Sequence, residues 1–129
     1  MTTLQQAREV AELILDMTKA LEFTQKKENE EAEITVYALA MDEREPLVYE
    51  LADLREQMGE EEIASPEFAQ VEKIVAEIIA LDKGHLAIME KMRSSVQASY
   101  KGVKQGQRIT AGYNPLHGSE ISDRINITH

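Results

Sequence analysis

Apolar residues recur at intervals of three and four along the first part of the chain, the spacing that places side chains on one face of an α-helix. Thr2 or Thr3 supplies the N-terminal cap of this first predicted helix. Val10, Leu13 and Met17 widen its apolar face beyond the narrow seam of a two-stranded coiled coil. The positions that form the face are Leu4, Ala7, Ala11, Ile14, Thr18 and Leu21.

A second helix is predicted from an apolar stripe that begins at Ile34 and fades near Gly59. Pro46 interrupts this stripe. Because proline lacks an N–H and disfavours helical backbone at the preceding residue, we expect a kink or a restart at that point. The apolar positions of the segment are Ile34, Tyr37, Ala40, Met41, Leu47, Val48, Leu51 and Leu54.

Ser65-Pro66-Glu67 is the clearest local signal in the chain. Serine caps a helix, proline suits its first position, and an acidic residue is favourable in its first turn. The apolar stripe that follows predicts a third helix that runs to about Arg108, on the order of 60 Å at 1.5 Å per residue.

The residue pattern changes after this helix. Gly112-Tyr113-Asn114-Pro115 is typical of a turn, and the alternating isoleucines that follow have no partner strand. We therefore expect a helical bundle over residues 1–110 and a flexible C-terminal tail over residues 111–129. The fold class is all-α, an antiparallel bundle of three main helices with one long C-terminal helix.

The length of the third helix predicts an apolar strip that the two shorter helices leave uncovered. Exposed apolar patches usually meet a partner, and methionine adapts well to grooves that accept partner helices. The alternative for each residue is ordinary core packing. The predicted partner-binding strip consists of Leu86, Met89, Met92, Val96, Tyr100 and Val103.

Charge and composition narrow the classes of function. The net charge is −10, which opposes direct binding to nucleic acid. A basic stretch at residues 81–110 is explained by packing beside the acidic helices, with a docking patch as the alternative. There is no cysteine, which excludes disulfides and thiolate chemistry. We find no secretory signal, no apolar run long enough for a membrane span, no phosphate-binding glycine loop and no nucleophile motif. We therefore expect no enzyme activity and no cofactor.

Two polar positions carry the remaining candidate chemistry. Asp82 and His85 lie three residues apart on the third helix, like half of a carboxylate-bridged metal site. Only one such pair is present, so a local polar contact is the simpler interpretation. Arg44 lies on the apolar stripe of the second helix. The favoured interpretation is that it snorkels or pairs with an acid such as Glu22 or Glu43, and the alternative is that it binds a carboxylate of a partner.

Over residues 1–115, an acidic helix is followed by Asp42-Glu43-Arg44-Glu45-Pro46-Leu47-Val48 and then by a long helix. The long helix carries Ile78-Ile79-Ala80-Leu81-Asp82-Lys83 and Lys101-Gly102-Val103-Lys104-Gln105-Gly106, and Tyr113-Asn114-Pro115 follows them at its end. With these segments in this order, the chain resembles the flagellar export chaperones, most closely the FliT type and next the FlgN type. Pro46 and the isoleucine-rich tail depart from the family pattern.

The resemblance implies a cytoplasmic chaperone of flagellar type III export. Such a protein binds the C-terminal helical segment of a filament-cap or hook–filament junction (hook-associated) protein, keeps it monomeric and brings it to the export apparatus. A second hypothesis is a structural coiled-coil or homo-oligomeric protein, such as a homodimer, whose apolar strip pairs with itself. A third is a helical-bundle enzyme or metal carrier built around Asp82 and His85. In the first two, the partner is a protein, and no nucleic acid or membrane is involved.

Overall fold

The computed structural model describes the backbone of residues 1–107 and the side chains of residues 1–100. The described chain is helical without strands, which confirms the all-α prediction. The predicted tail at residues 111–129 lies outside the described residues. Within them, no helix is both long enough and apolar enough to cross a bilayer. The helices are α1 (Thr3–Lys19), α2 (Glu30–Glu56), α3 (Glu60–Ile63) and α4 (Pro66–Gln107), and a 3₁₀ turn covers Lys27–Asn29.

The N-terminal caps of α1 and α4 agree with the sequence signals. The Thr2 hydroxyl accepts the Gln5 N–H at 3.1 Å, and the Gln5 side chain accepts the Thr2 N–H at 3.0 Å. Ser65 Oγ accepts the Phe68 N–H at 3.2 Å, with Pro66 as the first residue of α4. Each cap satisfies backbone N–H groups that the helix itself leaves without acceptors.

Pro46 lies inside a continuous α2, so the predicted restart is wrong. Proline removes one backbone hydrogen bond, and the packing of α2 on both sides of it keeps the helix intact. The inner face shifts at this point. Inner positions follow at Met41, Arg44 and Leu47, two successive steps of three, and Leu47 takes the place predicted for Val48, which is exposed.

One compact unit consists of Met1–Glu22 and Ala40–Leu86. Arg8 donates to Gln70 at 2.6 Å and Lys19 pairs with Glu77 at 3.5 Å, so α1 and α4 run in the same direction. The C-terminal part of α2 runs the opposite way, as in an up-down-up three-helix arrangement. The buried core consists of Ala7, Val10, Ile14, Leu15, Leu54, Met58, Phe68 and Ile78. Leu13, which was predicted to widen the apolar face of α1, is exposed.

The other compact unit contains Phe23–Leu39 and, of the described residues, 87–107. Here the segment that leads into α2 is tied to the first turns of that helix. The Glu33 carboxylate accepts the N–H groups of Thr24 at 2.8 Å and of Gln25 at 3.3 Å, and Gln25 has a left-handed backbone with φ of 57°. The ring of Phe23 meets the ring of Tyr37 edge to face, with centroids 6.2 Å apart.

Helix α4 contacts α2 in this unit at the N-terminus of α2. Ser95 Oγ donates to the carboxylate of Glu30 at 2.8 Å, and Glu30 is buried. This contact places the first residue of α2 beside the middle of the C-terminal part of α4. Ile34 and Tyr37 of α2 are buried in the same unit.

Candidate functional site

The predicted partner-binding strip on α4 is largely buried within the chain's own fold. Met89, Met92 and Val96 are 3%, 1% and 7% exposed, and Tyr100 is half-buried. Leu86 is 39% exposed, and Val103 lies within α4, with its side chain outside the described residues. The prediction that the strip is left uncovered is therefore wrong for the two methionines and Val96. A role of these residues in partner binding stays a prediction, and it requires that their own cover first moves away.

From the level of α2 along α4 we infer that the early part of the second helix covers the methionines. The Ser95–Glu30 hydrogen bond places the start of α2 level with Ser95. Because α2 continues from Glu30 along α4, the residues of α4 between 87 and 95 have the first turns of α2 beside them. The aromatic pair of Phe23 and Tyr37 belongs to the same compact unit.

Three helices meet at a polar cluster formed by Thr18, Arg44 and Asp82. Both terminal nitrogens of Arg44 donate to the Asp82 carboxylate, at 2.8 Å and 2.9 Å. The first of these nitrogens also donates to the Thr18 hydroxyl at 2.8 Å, and that hydroxyl donates to the Ile14 carbonyl at 2.7 Å. The Arg44 and Asp82 side chains are 12% and 27% exposed. Such a bidentate ion pair fixes the relative orientation of the two side chains and also balances their charges.

The partner of Arg44 differs from the acids expected from the sequence. Glu22 and Glu43 were the predicted candidates, but the antiparallel arrangement of α2 and α4 places Asp82 opposite Arg44. The pair occupies the carboxylate that the metal-site hypothesis required. Among the described residues there is no group of three histidine or acidic side chains that could hold a metal ion. The cluster ties α1, α2 and α4 together, which is a structural role.

His85 lies one turn beyond Asp82 and is half-buried. Burial lowers the pKa of its imidazole, the Asp82 carboxylate opposes this shift, and the Arg44 guanidinium adds to it. The unfolded chain therefore binds a proton at His85 at a higher pH than the folded chain does.

We expect this difference to make the fold less stable as the pH falls below about 6.5, the ordinary pKa of histidine. Above that value both states are neutral at His85, and the contribution of His85 to stability is fully present. Urea unfolding midpoints measured from pH 8 to pH 5 should decline less for His85→Gln than for the parent chain. Parallel declines for the two proteins would contradict the assignment.

Exposed apolar side chains lie on α2 and α4 beside the contact of these helices, in the unit that contains both their middle parts. Val48 on α2 is 42% exposed, and Ile79 on α4 is 50% exposed. Leu86 continues the same side of α4, seven residues beyond Ile79. We call Val48, Ile79 and Leu86 the α2–α4 groove.

Two contacts between the helices show that these residues share one side. Arg44 pairs with Asp82, and the Arg55 guanidinium lies 5.9 Å from the centre of the Phe68 ring. Val48 follows Arg44 by four residues and precedes Arg55 by seven, so it lies on the stripe of α2 that faces α4 at both ends.

The same contacts set the level of the two apolar residues along the helices. Ile79 lies eleven residues after Phe68 and three before Asp82, on the stripe of α4 that faces α2. Val48 is four residues from Arg44, and Ile79 is three residues from Asp82. At about 1.5 Å per residue, the Cα atoms of Val48 and Ile79 therefore differ by no more than about 2 Å in their position along the helix axes.

Of these three residues, Leu86 was predicted to bind a partner, Val48 was predicted only as an apolar position of the second helix, and Ile79 had no predicted binding role. Leu47-Val48 and Ile78-Ile79 are adjacent apolar pairs, and neighbouring residues on a helix point about 100° apart. One member of each pair therefore has to lie away from the centre of the inner face, and this was the sequence signal for an exposed apolar residue on each helix.

No protein-family profile, characterised protein or solved structure matches this chain.

Proposed function

We propose that this protein is a cytoplasmic export chaperone of the flagellar type that holds an amphipathic helix of another protein. Its guest would be the C-terminal segment of a filament-cap or hook–filament junction protein, kept from assembling early and delivered to the export apparatus. The observation that carries the proposal is the α2–α4 groove, in which apolar side chains of two neighbouring helices remain exposed.

The groove suits a guest helix on physical grounds. A helix with apolar residues at positions i, i+3, i+4 and i+7 buries one face in a cleft between two helices. Val48, Ile79 and Leu86 extend over about 10 Å of α4, which corresponds to two turns of such a guest. The resemblance to the FliT type supports the class of guest, and the groove supports the mode of binding.

We expect Ile79→Asp to weaken binding of a C-terminal peptide from a cap or junction protein at least tenfold. The substitution places a charge where an apolar guest face would exclude water, so binding would desolvate that charge. A tenfold loss of affinity corresponds to about 1.4 kcal/mol. Because Ile79 is half-exposed, the unfolding midpoint should change little. Fluorescence anisotropy of a labelled peptide measures the affinity, and circular dichroism monitors the fold.

Leu13→Asp is the matched control, because Leu13 is equally exposed but lies on α1. It should leave the affinity unchanged. Equal losses in both variants, or no loss in either, would contradict the assignment of the groove. A homodimer that dissociates on Ile79→Asp and binds no peptide would instead favour the structural alternative.

A further inference from the structure

The α2–α4 groove has a rim of acidic side chains. On α2, the exposed Glu45 lies three residues before Val48 and the exposed Glu56 lies eight residues after it, so both carboxylates lie on the side of the helix next to Val48. On α4, Glu72 is exposed and lies seven residues before Ile79, two turns along the same side. From this arrangement we infer that the guest is a basic amphipathic helix, with Lys or Arg along the edges of its apolar face.

The rim acids have no cation of their own. Glu45, Glu56 and Glu72 form no ion pair with any side chain in residues 1–100. Of the two arginines of α2, Arg44 is paired with Asp82, and the exposed Arg55 lies over the Phe68 ring on the same stripe as Val48. The negative charge at the rim therefore remains available to a guest.

Two cations also lie at the rim, Lys83 on α4, one turn after Ile79, and Arg55 on α2. The three carboxylates exceed these two cations by one, and this excess decides the sign of the preferred guest. An acidic helix with the same apolar face would meet like charges, which disfavours the wrong partner.

This inference deepens the proposed function and rests on it. Apolar contact supplies affinity for any amphipathic helix, whereas the rim selects among such helices. A typical exposed ion pair changes affinity about twofold, so three together give a preference of about tenfold at low salt. Screening by salt reduces such a preference, because the Debye length falls to about 3 Å at 1 M.

Two designed 20-residue helical peptides with the same leucine face test the inference on the full chain. One carries lysine and arginine at the flanking positions, and the other carries glutamate. We expect the basic peptide to bind about tenfold more tightly in 50 mM salt, and the difference to shrink to about twofold in 1 M salt. Glu45→Lys combined with Glu72→Lys should remove the preference.

Glu9→Lys combined with Glu61→Lys is the control, since it changes the net charge equally but places both changes away from the groove. It should keep most of the preference. Equal binding of the two peptides in 50 mM salt would overturn the inference and leave the proposed function standing. If neither peptide binds, both fail, and loss of self-association on Ile79→Asp would then identify a second copy of the chain as the occupant.

Discussion

Arg44→Ala is expected to destabilise the fold by about 2 to 3 kcal/mol, near the low end for broken buried ion pairs. The substitution leaves the Asp82 carboxylate without the two N–H donors that it now accepts at 2.8 Å and 2.9 Å. It also removes the donor to the buried Thr18 hydroxyl. The partial exposure of Asp82 lets water replace some of these contacts, which keeps the loss below that of a fully buried pair. Urea unfolding followed by circular dichroism measures it.

The Lys19–Glu77 pair is the matched control, because it also joins α1 to α4 but has both side chains about half exposed. Lys19→Ala should cost about 0.5 kcal/mol or less. Joint replacement by Arg44→Met and Asp82→Leu should recover most of the stability, since no charge is then left without its partner. If the joint variant is as unstable as Arg44→Ala, the loss comes from packing and not from the unpaired carboxylate.

The helices and their N-terminal caps could be predicted from the sequence because they depend on neighbouring residues. Thr2 and Ser65 cap helices through hydrogen bonds to residues three positions away, which a local pattern contains in full. Pro46 was the local signal that misled. Its cost is one hydrogen bond, and contacts with distant parts of the chain outweigh it.

Contacts between helices could not be predicted because they depend on direction and level. Arg44 has several acids within reach along the chain, and only the antiparallel placement of α2 against α4 selects Asp82. The burial of Met89 and Met92 has the same origin. The sequence gives the lengths of the helices, but the contact of Glu30 with Ser95 shows how far along α4 the second helix reaches.

Met92→Ala is expected to destabilise the fold by about 3 kcal/mol, as core substitutions that leave a cavity do. Met92 is 1% exposed, so its removed atoms leave contacts on every side without a partner. Leu86→Ala, six residues earlier on the same helix, should cost about 1 kcal/mol or less because that side chain is more than one-third exposed. Urea unfolding midpoints of the two variants, compared at equal protein concentration, measure the difference.

This pair of variants decides how any binding experiment on α4 is interpreted. If Met92→Ala is strongly destabilised, lost binding in a methionine variant reports an opened fold, and Leu86 is the position that reports the surface. A charged residue at position 92 would be worse still, because its burial adds the cost of desolvation to that of the lost packing. If Met92→Ala instead keeps its stability within about 0.5 kcal/mol and loses guest binding, the methionine is a surface residue and the guest site lies on the strip that begins at Leu86 and not in the α2–α4 groove.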